Sequence, residues 1–263
     1  MLSVLLRFLL KPWYLIFQAG TLSELRIRSL ERSYPRDTPG RLVLSGVEFF
    51  FHDAPTFANQ YREIFNKEIY YIETNKRNPL IIDCGANMGL ALKYWKGIFP
   101  EARMIAIEPD ENIFQTLKKN VETFSSQVRL LQGLLWTQEG RISFQADGRQ
   151  GGRAGYGNQE VETYRLSNIL KEFEQVDLLK IDIEGAEFSV VSEAESELWR
   201  VKRVFMEFHH FEGQTSRLRE LLDLIVRSGF DIIISGESWN KPFTEPFPDS
   251  GLRFTLNVYA SRV

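Results

Sequence analysis

From residue 79 onward, short apolar runs rich in β-branched residues alternate with stretches of helical period. Residues 80–82, 104–107, 128–132, 178–181, 204–208 and 230–234 read as strands, and 90–97, 113–123 and 218–227 as helices. Runs this apolar, separated by helices, predict a buried and mostly parallel sheet. The last run, 255–260, alternates apolar and polar positions and follows its predecessor without a convincing helix, so an antiparallel final strand inserted into the sheet is expected. Upstream, 41–45 and 47–52 flank Gly46 as a short hairpin, and Phe57, Tyr61, Ile64 and Phe65 fall at helical spacing. Residues 20–40 are polar, hold Pro35, Pro39 and Gly40, and read as a connecting segment.

These patterns divide the chain into 1–40, an apolar helix and connector; 41–78, a hairpin and helix leading into the core; and 79–263, an α/β domain. That domain carries a lid-like insertion near 133–177, which includes the run RQGGRAGYGN at 149–158. Four glycines in ten residues predict a loop that can move, with closure over a ligand and a plain surface excursion as its two readings.

Residues 1–17 are very apolar, but Arg7, Lys11 and Pro12 interrupt them. A bilayer span needs about 20 apolar residues, and a secretory signal an unbroken apolar core. Two readings stand: a helix packed on this domain or on a second copy, and an interfacial helix with Trp13 and Tyr14 at headgroup level. The chain of 263 residues is 43% hydrophobic and 25% charged, within the range of globular proteins. A net charge of -3 without a basic block argues against a nucleic-acid partner. Cys84 is the single cysteine, which excludes an intramolecular disulfide and favours a cytoplasmic setting, peripheral to the membrane if residues 1–17 bind one.

Four constellations carry chemistry. IIDCGANMG (81–89) is a strand running into a helix through a sharp turn, with Gly85 and Gly89 leaving room for a ligand against the backbone. Asn87 stands where a dinucleotide site needs its second glycine, so a cofactor without phosphates is favoured. Asp83 and the turn amides suit the amino-acid end of S-adenosylmethionine. Glu108 closes the next strand about 20 residues on, where an acid accepts both hydroxyls of a ribose. In LLKIDIEGAE (178–187), Lys180, Asp182 and Glu184 alternate at the carboxyl edge of a buried strand, a costly place for charge unless it is paired or used. Asp182 suits a role in positioning or deprotonating an acceptor hydroxyl; a Lys180 ion pair with a helix cap is the structural alternative. In MEFHH (206–210), Glu207 and His209 share one face, and His209 is a second candidate base. Asp182, Glu207 and His209 also suit a divalent ion, but no metal is assigned from sequence, and no CxxC or HExxH pattern offers zinc.

Together, IIDCGANMG, IEPD and VETYRLSNILKEFEQVDLLKIDIEGAE resemble the FkbM family of S-adenosylmethionine-dependent methyltransferases, over roughly residues 40–235. The resemblance implies a Rossmann-like class I fold with a seven-stranded sheet, S-adenosyl-L-methionine as methyl donor, and O-methylation of a sugar or natural-product/glycolipid-type hydroxyl. It places Asp83, Gly85, Asn87, Gly89 and Glu108 at the cofactor, with Asp182, Glu184 and Glu187 in the second signature. Gln132 is the best candidate for an adenine contact, because its strand otherwise ends in Gly133, Leu134 and Leu135. The rivals are a nicotinamide-dependent oxidoreductase, against which the missing glycines count, and a non-catalytic scaffold that keeps the fold.

Overall fold

The polar segment before the hairpin is a helix, α1 (Thr21–Ser33), in the computed structural model. Its composition suggests a connector because only one narrow stripe is apolar, with Ile27 buried and Leu30 packed on the core. Tertiary ion pairs hold the rest: Arg62 meets Glu24 at 2.9 Å and Glu31 at 2.7 Å. The structure describes residues 21–145, 153–155, 157, 159–211, 215–236 and 252–262. Residues 1–17 and most of the glycine-rich run at 149–158 lie outside them.

β1 (Gly40–Leu44) and β2 (Val47–Phe51) form the hairpin, and Ser45 and Gly46 both take positive φ, the mirror-image turn that matches strand twist. α2 (Ala54–Tyr61) starts at Asp53, whose carboxylate accepts from the Thr56 N–H at 3.0 Å, and it runs on into a π-helical turn at Arg62–Asn66. Phe49 of β2 meets Phe57, Tyr61 and Phe65 edge-on, with ring centroids 5.6–5.7 Å apart. The hairpin and helix are thereby joined to the core of the sheet.

The main domain runs β3 (Leu80–Cys84), α3 (Leu90–Ile98), β4 (Arg103–Glu108), α4 (Glu111–Val121) and β5 (Val128–Gln132). β6 (Leu134–Leu135), β7 (Gly140–Gln145), β8 (Arg153–Ala154) and β9 (Gln159–Tyr164) follow as a small sheet of their own, ordered β6-β9-β7-β8. The chain returns through α5 (Leu166–Lys171), β10 (Leu178–Ile181), α6 (Glu187–Glu193), β11 (Arg203–Phe211), α7 (Thr215–Arg227), β12 (Asp231–Gly236) and β13 (Leu252–Ser261).

The large sheet is ordered β12-β13-β11-β10-β3-β4-β5, with β13 inserted antiparallel between β11 and β12. Strand alternation feeds two cores. Ile81, Ala106, Leu178 and Phe205 join one with Trp95 of α3, while Ile82, Ile105, Leu179 and Met206 join the other with α5, α6 and α7. Each Ile, Leu, Phe or Met among them contributes about 1.5–3 kcal/mol on burial. The strand order reverses between β3 and β10, and the carboxyl ends at such a switch point leave a crevice. Among the described residues no helix is long and apolar enough to cross a membrane.

Candidate active site

The crevice is a cavity of about 790 Å³, lined from the turn after β3, the end of β4, the end of β10 and polar residues of β11 and β13. Such a volume suits a cofactor with a small acceptor.

The turn at 85–89 is built for close approach. The Gly85 and Ala86 N–H groups donate to the Ile107 carbonyl at 3.0 and 2.9 Å, tying the turn to β4. Gly85 has φ +85, and a Cβ there would lie 1.8 Å from the Asp182 carbonyl oxygen. Asn87 also takes positive φ, and its N–H donates to Glu108 Oε2 at 2.9 Å. The Asp110 N–H donates to Oε1, also at 2.9 Å. Glu108 is thus fixed at the cavity wall with lone pairs to spare for a diol. Burial pushes its carboxyl up to about 8, against the pull of these two amides.

Two cofactor-site expectations change in detail. Asp83 does not line the cavity; fully buried, it pairs with Lys180 Nζ at 2.9 Å, and that ammonium donates to the Gly85 carbonyl at 2.8 Å. Burial works against charge on Lys180, but Asp83, Tyr70 and Asp182 together hold it well above the usual lysine range. Asp83 therefore shapes the turn through Lys180. Gly89 is also absent from the wall: at φ +82 it begins α3, and a Cβ there would meet Leu117 Cδ1 at 2.6 Å. Its glycine serves helix packing.

Gln132 is an outright correction. Its side chain lies exposed and hydrogen-bonds Glu111, and the cavity wall is made by Gly133, Leu134 and Leu135 instead. β5 ends at Gln132, whose side chain is held by Glu111 at the start of α4, and Gly133, at φ +153, turns the chain into β6.

The second signature forms the opposite wall. β10 stops at Ile181, so the alternation of Lys180, Asp182 and Glu184 does not continue as a strand; Glu184 has φ +55 within the turn. Asp182 and Glu207 line the cavity, with His209 immediately behind at 4% exposure. His209 Nδ1 lies 2.9 Å from Glu187 Oε1, an oxygen that also accepts the Gly185 N–H at 2.9 Å. Glu184 Oε2 lies 3.4 Å and Glu207 Oε1 3.8 Å from His209 Nε2. Burial opposes charge on His209, but the Glu187 hydrogen bond and the surrounding carboxylates outweigh it and lift the imidazole to about 10. Burial likewise pushes Glu184 up to about 8 and Glu207 up to about 7, helped by Asp182. The structure therefore brings Asp182, Glu207 and His209 together as one cluster, and adds Glu187 beneath it.

The polar wall of β13 has no counterpart in the sequence reading. Thr255, Asn257 and Tyr259 face the cavity opposite His209, Glu207 and Phe205, whereas Val258 is buried. The alternation of 255–260 carried this signal, since polar residues on one face of a central strand need a use.

The sequence agrees with this geometry. The model of the methyltransferase FkbM domain matches residues 83–232. Methyltransferase sdnD of Sordaria araneosa is 30% identical over 223 residues, 68% of this chain and 84% of its own. The 2-O-methyltransferase NoeI of Sinorhizobium fredii is 25% identical over 177 residues, 57% of this chain and 72% of its own. Among solved structures, the methyltransferase FkbM of Methylobacillus flagellatus superposes with a TM-score of 0.53 at 15% identity, over 93% of this chain. The chain spans 60% of the length of that protein. The sheet, its reversed last strand and the crevice make this a Rossmann-like, class I methyltransferase fold. By its domain match and by its relatives, the chain belongs to the FkbM methyltransferase family.

Proposed function

We propose that the chain transfers the methyl group of S-adenosyl-L-methionine to a hydroxyl oxygen of a small acceptor, a sugar or a hydroxylated natural product or glycolipid. The observation that carries the reading is the division of one cavity between two walls. Gly85, Asn87 and Glu108 form one, suited to a nucleoside; Asp182 and Glu207, with His209 behind, form the other. The residues fit the cofactor: Glu108 is held by two backbone amides with acceptor capacity left, and the Gly85 turn leaves no side chain in the way. Relatives support an oxygen acceptor, since NoeI is a 2-O-methyltransferase.

S-adenosylmethionine supplies an electrophilic methyl on sulfur. The protein positions the acceptor oxygen in line with it, and alignment and water exclusion provide most of the rate. The hydroxyl proton would pass to a carboxylate of the Asp182 and Glu207 wall, with His209 behind it holding the carboxylates in place, and the products would be S-adenosylhomocysteine and the methyl ether. Asn257, Thr255 and Tyr259 offer polar contacts to the rest of the acceptor.

Calorimetry with S-adenosylhomocysteine, NADH and NADPH, followed by labelled methyl transfer to a panel of sugars, glycolipids and phenolic natural products, tests the reading. Binding of the thioether alone and transfer to a hydroxyl are expected. Preference for a nicotinamide cofactor overturns the proposal. So does cofactor binding without transfer to any hydroxyl, which is the behaviour of a scaffold.

A further inference from the structure

The cluster at the acceptor wall has a geometry that a proton-accepting role does not require. Asp182, Glu207 and His209 each present one ligand atom, and the three atoms lie within 4.8 Å of one another. Asp182 follows the end of β10, and Glu207 and His209 occupy alternate positions on β11. The two strands pair in parallel with Ile181 opposite Met206. Neighbouring strand backbones therefore set the trio's spacing, which favours a defined site over a chance meeting of loops.

The anchoring of His209 by Glu187, a residue outside the trio, is a second observation. The His209 side chain is 4% exposed, and Nδ1 is taken by Glu187, itself fully buried and anchored by the Gly185 N–H. A carboxylate that accepts the Nδ1 proton fixes the ring and aims Nε2 at the cavity carboxylates, the arrangement that supports histidine as a metal ligand once an ion displaces the Nε2 proton. Among the described residues Nε2 makes no hydrogen bond; the groups facing it are the carboxylates of Glu184 and Glu207, with Asp182 adjoining. Without an ion these carboxylates have only the proton on Nε2 to share, and a divalent cation would take the place of that proton. A cation between them satisfies all at once.

We infer that Asp182, Glu207 and His209 hold a divalent cation of the Mg²⁺ or Mn²⁺ class at the acceptor wall. Two carboxylates and one imidazole, without a thiolate, suit a hard ion, and the single cysteine, Cys84, is buried within β3. Metal–oxygen bonds of about 2.1 Å bring neighbouring ligand atoms to about 3 Å, so small side-chain rotations close the trio onto an ion. Three protein ligands leave coordination positions open towards the cavity that Asp182 and Glu207 line. This inference rests on the methyl-transfer reading and narrows its substrate class. An ion with adjacent open positions chelates two neighbouring oxygens, which selects acceptors with a vicinal diol or an equivalent pair of oxygens.

The test uses chelator-stripped full-length protein titrated with Mn²⁺, with free ion read by electron paramagnetic resonance and S-adenosylhomocysteine affinity measured on the same samples. One Mn²⁺ per chain at micromolar affinity is expected. Glu207→Gln, which loses a ligand, and Glu187→Gln, which loses the imidazole support, should each weaken it by roughly tenfold or more. Cofactor affinity should be retained in both, which also shows that they fold. Wild-type protein that binds S-adenosylhomocysteine but no Mn²⁺ at millimolar concentration overturns the metal site alone, as does Mn²⁺ binding unchanged in both variants. Mn²⁺ binding without cofactor binding overturns the methyl-transfer reading instead.

Discussion

The carbonyl oxygen of Asp182 lies 1.8 Å from the point where a Cβ on Gly85 would stand, so these two backbones touch at the centre of the site. The Asp182 N–H donates to the Cys84 carbonyl at 3.0 Å, which locks the approach from the other side. Gly85→Ala should therefore fail twice, through its φ of +85 and through collision with main chain that no rotamer relieves. Strain of this kind costs about 1–3 kcal/mol before the collision is counted. A lower midpoint in urea together with lost S-adenosylhomocysteine binding is expected, and Asp182→Ala should not rescue it. Wild-type stability in Gly85→Ala would disprove the contact.

The Lys180–Asp83 pair lies under the same turn, with both side chains at most 4% exposed. Removing one partner leaves an uncompensated buried charge, so Lys180→Met should cost about 3–5 kcal/mol. Asp83→Asn in that background should recover a large part of the loss. Denaturation of the two single variants and the double variant measures the coupling. Purely additive losses would show that the pair does not act as a unit.

Glu108→Gln keeps the length of the side chain and an oxygen for one backbone amide but turns the second acceptor into an NH2 donor, which faces an N–H group. A buried donor left unsatisfied costs about 1–3 kcal/mol, so affinity for S-adenosylhomocysteine should fall by roughly 5- to 100-fold. Gln132→Ala is the matching control, because Gln132 pairs with Glu111 away from the cavity. Its cofactor affinity should stay within about threefold of the parent, the size of change expected of an exposed substitution. Calorimetry decides both, and a strong effect at Gln132 would reinstate it as an adenine contact.

The strands were legible because burial on both faces leaves continuous apolar runs; 128–132 and 178–181 coincide with β5 and β10. The last strand was legible from its alternation, and its reversal from the lack of a helical pattern before it. α1 was not, because its stability comes from Glu24 and Glu31 reaching Arg62, and sequence-distant ion pairs leave no local period. At the site, Glu108, Asp182, Glu207 and His209 were identifiable as charges at strand ends. The division of labour among the acids was not: Asp83 pairs with Lys180 while Glu187 reaches His209, and only the fold brings positions 187 and 209 together. Gln132 was misplaced because its side chain is drawn to Glu111 at the start of α4, a partner that the strand pattern does not reveal.

The His209 cluster also predicts how stability responds to pH in chelator-treated protein. His209, faced by Glu187, Glu184, Glu207 and Asp182, is lifted from 6.5 to about 10. A raised imidazole favours the folded state while charged, so this contribution is complete below about pH 6.5 and is lost as pH rises towards 10. Glu184 and Glu207 are raised to about 8 and about 7, so their folded forms favour the proton, and ionising them above about pH 4.5 also destabilises. All three act with the same sign. The melting temperature should fall steadily between pH 6 and pH 9, and His209→Gln should flatten the part of the curve above pH 6.5. Scanning calorimetry across that range checks both statements. A melting temperature that rises with pH would mean that the carboxylates are ionised and separately compensated, and that His209 is held neutral between them.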